Sequence, residues 1–186
     1  EIVALAQTSG GDFFIGSWGS REYFEGAIDE VRVYDDALDA AAVANHAGGL
    51  YDTNQPEAIV LAHHNEDPAN PIQDSSLWDN DGVHSGGAPR APGRFLNGIG
   101  YNGVNEWTAV ADSTEINFAD RSFTVEAWVK QDVGATGEQV VVSKRDTPGT
   151  NYEDLHLRVL DNGAMRFGFH GDDLNAPSGS FTQGQW

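Results

Sequence analysis

The sequence contains no cysteine, a single methionine and only two lysines, Lys130 and Lys144, among its 186 residues. The missing cysteine excludes a disulfide framework, a thiolate nucleophile and any cysteine-ligated metal. No apolar run approaches the length of about 18 residues that a membrane-crossing helix requires. Positive charge is scarce: 10 basic residues stand against 29 acidic ones, for a formal charge of −19. A surface of that sign repels nucleic-acid phosphate and anionic lipid, so neither nucleic acid nor membrane insertion is expected. It suits divalent cations or high salt, where screening limits self-repulsion. Few Lys and many Asp fit a salt-loving (halophilic) microbe and, equally, an ordinary acidic secreted protein. The chain opens on Glu1 with no charged-then-apolar leader and stops at "FTQGQW". The expectation is a window on a longer polypeptide or a processed product.

What the sequence does have is glycine, 22 residues of it, with β-branched and aromatic runs broken by Asn, Asp, Gly and Pro clusters. That pattern predicts an all-β chain with about ten strands. Strands are expected at "EIVALAQ" (1–7), "FFIGSW" (13–18), "AIDEVRVYD" (27–35) and "AIVLAHHNE" (58–66). "SFTVEAWVKQ" (122–131) alternates cleanly, with Phe123, Val125, Ala127 and Val129 on one face and Thr124, Glu126, Trp128 and Lys130 on the other. "LHLRVL" and "AMRFGFH" flank Asp161-Asn162-Gly163, a hairpin signal. One short helix is expected in "DALDAAAVANHAGGL", capped by Asp36 or Asp39 and ended by Gly48-Gly49. The Asp-, Gly- and Pro-rich stretch 67–93 is a long loop, of the kind that is usually functional.

In "EGAIDEVRVYDDAL" (25–38) the alternation slips: Ile28 is followed by Val31 and Val33, with Asp29 and Glu30 in the break. A slip of this kind is a β-bulge, which re-aims side chains.

"FEGAIDEVRVYDDALDAAAVANHA" resembles the closing segment of the laminin-G-like jelly rolls, also called concanavalin A-like domains, whose last strand carries a G-x-I-D-E-V-R-[IV]-Y pattern. "RFLNGIGYNGVNEWTAVADSTEINFADRSFTVEAWVK", with "VVSKRD", resembles the opening half of that family, and "QDSSLWDNDGVHSGG" its early D-S-S-x-x-x-N-D-G loop. The resemblance implies a two-sheet antiparallel jelly-roll sandwich. The order departs from the family: the closing segment (1–50) comes before a linker (51–57) and the opening segment (58–186), and two strands usual after "GQW" are absent. One permuted sandwich is the favoured reading, with a cut from a tandem array as its origin. Two incomplete modules are the alternative.

The resemblance also implies a structural Ca²⁺ ligated by Asp29, then Asn65 or Glu66, then Asp79 and Asp81 or their neighbouring carbonyls. Hard oxygen ligands are what that ion requires. The alternative is that Asp29 and Glu30 only cap the bulge or pair with Arg32. His63-His64 invites a zinc reading, but adjacent strand residues face opposite ways, so one inward and one solvated histidine is expected. Related jelly rolls include glycoside hydrolases, which need two flanking carboxylates. There is no E-x-D-x-E here, and Glu126 is a lone candidate beside Trp128. Trp18, Tyr23, Trp78, Trp107 and Tyr152 are candidate sugar-stacking faces in or near loops. The expectation is a non-catalytic extracellular or cell-surface module for adhesion or structure, binding calcium and glycans. The alternatives are a filament or stalk block completed by neighbouring copies, and then a glycosidase.

Overall fold

The computed structural model describes residues 10–51, 58–63, 72–87, 90–118, 121–145, 155–169 and 172–186. The expected strand at 1–7 and the candidates His64, Asn65, Glu66 and Tyr152 lie outside the described residues.

The fold is a jelly-roll sandwich of two antiparallel sheets with one helix. The described strands are β1 (Phe13–Ile15), β2 (Glu25–Tyr34), β3 (Ala58–Ala62), β4 (Gly82–Ser85), β5 (Arg90–Pro92), β6 (Asn97–Asn102), β7 (Trp107–Val110), β8 (Thr124–Gln131), β9 (Gln139–Lys144), β10 (Leu155–Val159), β11 (Met165–Phe169) and β12 (Asp172–Asn175). The first sheet runs β12-β11-β10-β9-β1-β7-β4. The second runs β3-β2-β6-β5, with β8 also paired to β2. Helix α1 (Ala40–Ala47) starts at Asp39, whose side chain accepts from the Ala42 N–H, and stops at Gly48. That is the cap read from sequence, because a short carboxylate satisfies an orphan N–H of the first turn.

β2 ties the chain together. Val31, Arg32 and Val33 pair with Ala62, Leu61 and Val60 of β3, while Gly26, Ala27 and Ile28 pair with Tyr101, Gly100 and Ile99 of β6. Its other edge pairs with β8. One core holds Phe13, Ile28, Val31 and Val33 together with Ile59, Ile99, Val142 and Leu155. So the closing-type and opening-type segments share both sheets and a single apolar interior, which removes their apolar strand faces from water.

The slip in alternation is a bulge. Asp29 stands opposite Trp128 and Arg32 opposite Glu126, so Glu30 and Val31 together face Ala127 alone. Glu30 takes φ 51°, a left-handed conformation uncommon for a non-glycine residue. The extra residue lets Ile28, Val31 and Val33 all reach the core while Asp29, Glu30, Arg32 and Tyr34 are directed to the outer face.

Gly26, one residue into β2, has φ 142°, and a Cβ there would sit 2.2 Å from the Lys130 carbonyl oxygen of β8. Gly26→Ala should therefore cost on the order of 3 kcal/mol in a urea melt, by forcing β2 from β8. Gly134→Ala, with positive φ but open space around it, is the control for backbone strain alone. Equal losses in the two variants would disprove the clash.

β8 has no second strand neighbour among the described residues. Its core-facing Phe123, Val125, Ala127 and Val129 are only partly buried, as are Met165 and Phe167 of β11 across the sandwich. Among the described residues that flank is a sheet edge with apolar side chains beneath it.

Candidate functional site

The outer face of the second sheet carries the densest polar chemistry. β8 alternation directs Glu126, Trp128 and Lys130 outward, and the β2 bulge adds Glu30 and Arg32 beside them. Arg32, 8% exposed, is held between two carboxylates: its Nη2 donates to Glu30 Oε2 at 2.6 Å, and its Nε lies 3.9 Å from Glu126 Oε1. Its guanidinium also stacks 3.5 Å over the Tyr51 ring. Each glutamate has a histidine: His63 Nδ1 is 2.9 Å from Glu30 Oε2, and His46 Nδ1, from α1, is 3.0 Å from Glu126 Oε2. The Tyr34 hydroxyl donates to Glu126 Oε1 at 3.0 Å, and the Trp128 indole N–H donates to the Tyr51 hydroxyl at 3.0 Å. Phe95 packs edge-on against both Tyr51 and Trp128.

Between α1, Tyr51 and β8 this network leaves a cleft of ≈ 220 Å³, lined by Glu30, Val43, His46, Tyr51, Glu126 and Trp128. It is smaller than the roughly 300–1,000 Å³ of pockets for drug-sized ligands, so its scale is a single ring. Burial pushes the Glu30 carboxyl up, but hydrogen bonds from His63 and Arg32 outweigh it and hold the group below its ordinary range. Burial first, then the Glu126 charge, raise the Tyr34 hydroxyl. Of the two carboxyl roles in glycoside hydrolysis, an ionised Glu30 matches the base or nucleophile and not the acid. The Arg32 guanidinium also stands between the two carboxylates.

Asp29 lies on the same face, fully buried. Its Oδ2 accepts the Phe95 backbone N–H at 2.9 Å, anchoring the β5–β6 turn, and its Oδ1 is buried with no hydrogen-bond partner. Desolvation, helped by the Glu30 charge, raises its pKa to about 6 against the backbone amides of Phe95, Glu30 and Arg94.

Of the other predicted ligands, Asp79 and Asp81 are among the described residues. Asp81 Oδ1 accepts the Asp74 N–H at 2.8 Å, and Asp79 is an exposed turn residue at φ 52°. The residue that organises the loop is Asp74: its carboxylate takes N–H bonds from Leu61, Ser76 and Asn80. Among the described residues no group of three or more acidic or histidine side chains is gathered for a metal. Asp79 and Asp81 thus sit in a turn whose inward carboxylates accept backbone amides.

The aromatic candidates also scatter. Trp18 is not an exposed platform: it is 5% exposed, stacked on His156 at 5.3 Å, with the Arg158 guanidinium 4.3 Å from its ring. Its loop is pinned to the first sheet by the Ser143 hydroxyl, which donates to the Ser17 carbonyl. Tyr23 and Trp107 form a half-buried pair 6.0 Å apart, and Trp78 is alone at 48% exposure. Sequence reasoning named Arg32 only as an alternative partner of Asp29 and Glu30, the pairing that Glu30 makes, and missed His46 and Tyr51. The available signal was the even-numbered outward set on β8 facing the even-numbered Arg32 and Tyr34 after the bulge.

Residues 102–186 match the model of the concanavalin A-like lectin/glucanases superfamily, in its laminin-G form. That part of the chain is similar to a laminin-G-like domain. The match takes in β7 to β12, hence Glu126 and Trp128, and leaves the bulge of β2 and α1 outside it. A search of the curated proteins and a search of the solved structures found no match. At superfamily level, the assignment supports a carbohydrate- or protein-binding module.

Proposed function

We propose that this laminin-G-like chain is a non-catalytic extracellular adhesion or structural module that binds carbohydrate in the Glu126 cleft. One observation carries the reading: a ring-sized cleft has an aromatic wall, Tyr51 and Trp128, beside a partly exposed carboxylate, Glu126. Sugars need that combination, because C–H faces stack on rings while paired hydroxyls donate to carboxylate oxygens. Both Glu30 oxygens are engaged by Arg32 and His63 rather than free to attack, which favours binding over hydrolysis. The test is calorimetric titration over a panel of neutral oligosaccharides, alongside a reducing-sugar assay. Binding without product release is expected, and Trp128→Ala should weaken it about tenfold, the loss of one stacking contact. A panel with no binder removes the reading, and release of reducing ends removes its non-catalytic part.

Calcium belongs to the same proposal. The unpaired, buried Asp29 Oδ1 is a hard oxygen of the kind Ca²⁺ takes. Asp29 would hold the ion, whose contribution is charge compensation and stiffening.

A second reading, a building block completed by a strand from a neighbouring copy, is favoured by the β8 edge, unpaired among the described residues, and the partly buried apolar flank beneath it. Light scattering across a concentration series tests it: association at rising concentration is expected, and a monomer throughout removes it.

A further inference from the structure

The second sheet has another concavity on the same outer face. Its floor is the cross-strand row Lys130–Ala27–Gly100, in which two of the three residues have little or no side chain. The resulting trough, ≈ 330 Å³, is walled by Asn102, Glu106 and Asp132. Glu106 is 7% exposed and makes no ion pair among the described residues. Its burial raises its pKa, and a backbone hydrogen bond from Asn102 partly offsets this. A buried carboxylate without a cation at the wall of a trough is an acceptor for hydroxyl donors. Lys130, one of only two lysines, adds donors on the floor.

The trough and the Glu126 cleft are in line. Glu126, Trp128 and Lys130 are successive outward positions of β8, so the two sites are about 13 Å apart along the strand, roughly two to three sugar rings. Trp128 stands midway, its ring half-buried and met by the Arg94 guanidinium at 4.6 Å.

We propose that a linear oligosaccharide lies along the outer face of β8, with one unit in the Glu126 cleft, the chain crossing Trp128, and a distal unit in the Lys130–Glu106 trough. This rests on the carbohydrate reading of the cleft and extends it to a substrate class: an unbranched glycan of about four units rather than a terminal sugar. Neutral hydroxyls suit the mixed charges of Lys130, Glu106 and Asp132 better than a polyanion, which the net charge of −19 would repel.

The experiment is calorimetric titration of the whole chain with cello-, laminari- and malto-oligosaccharides of two to six units. For the series that binds, affinity should climb at least tenfold from two to four units and then level off. Lys130→Ala and Glu106→Gln should each flatten that climb and leave the disaccharide Kd unchanged. Lys130→Ala touches no core contact, so it decides the matter if Glu106→Gln melts early. A flat length dependence overturns the two-site proposal and leaves the cleft reading standing, as does a climb that both variants keep. No binding of any length in any series overturns the cleft reading and this proposal with it.

Discussion

Arg32→Met should destabilise the fold by about 3–5 kcal/mol at neutral pH in urea denaturation, the usual cost of removing one partner from a buried ion pair. Arg32 is 8% exposed and Glu30 is 5% exposed, so water cannot take over the guanidinium's role. Without Arg32, Glu30 keeps only His63. The double change Glu30→Gln with Arg32→Met should recover much of the loss, because it removes the stranded charge together with its partner. Arg32→Lys should fall between, since an ammonium can pair with Glu30 but cannot stack its plane on Tyr51. The pH dependence follows from the same geometry. Glu30 has a folded pKa below its ordinary 4.5, so between the two values the unfolded chain binds more protons. Stability from Glu30 is then fully present above about pH 5 and is lost as pH falls through the folded value. That acid-side loss should be shallower in Arg32→Met. If Arg32→Met costs less than about 1 kcal/mol, the network behaves as a screened surface cluster, and its role in shaping the cleft falls away.

The sandwich was legible because its signals are local and periodic. β8 alternates without interruption, Asp39 caps α1, and Asp161-Asn162-Gly163 turns β10 into β11, each as read from sequence. The bulge was legible for the same reason: in a strand with one buried face, a slip of apolar parity means an inserted residue. What the bulge does was harder to read. The family resemblance groups Asp29 with the carboxylates of the 74–81 loop, whereas the partners of Asp29 and Glu30 are the Phe95 amide and Arg32. The Phe95 amide is distant in sequence, and nothing in the residue types alone marks it. The cleft was invisible for a related reason. His46 from α1, Tyr51 beyond it, His63 after β3 and Glu126 from β8 meet only because the helix folds over the face of β2. Trp18 shows the opposite failure: an aromatic flanked by Gly and Ser reads as an exposed loop residue, yet Arg158 and His156 give its ring a place to stack.

Asp29→Asn should change the sign of its effect with calcium. The side chain is fully buried, Oδ2 takes the Phe95 N–H, Oδ1 has no hydrogen bond of ordinary geometry, and the Glu30 and Arg94 backbone amides add only weaker support for the charge. Burial lifts its pKa from 3.8 to about 6, so the folded chain resists ionising a group that is ionised at neutral pH when unfolded. The sign is therefore the reverse of the Glu30 case. Across the window from about pH 4 to about pH 6 the folded chain binds more protons, and metal-free stability falls as pH rises. A shift of about two units is worth about 3 kcal/mol at full extent. Asparagine is isosteric, still accepts from the Phe95 N–H and has no charge to desolvate. In a chelator at pH 7, Asp29→Asn should melt higher than the parent and lose the pH dependence below 6. In millimolar CaCl₂ the order should invert. An ion bound only by the folded parent adds about 2.7 kcal/mol at 100-fold over its dissociation constant, and asparagine supplies a neutral and weaker ligand. Glu106→Gln, remote from Asp29 and also a buried carboxylate, should show no calcium response different from the parent's. Should the parent melt at the same temperature with and without calcium, and below Asp29→Asn in both, then Asp29 is an anchor for the β5–β6 turn whose charge is merely tolerated, and calcium has no place in this module.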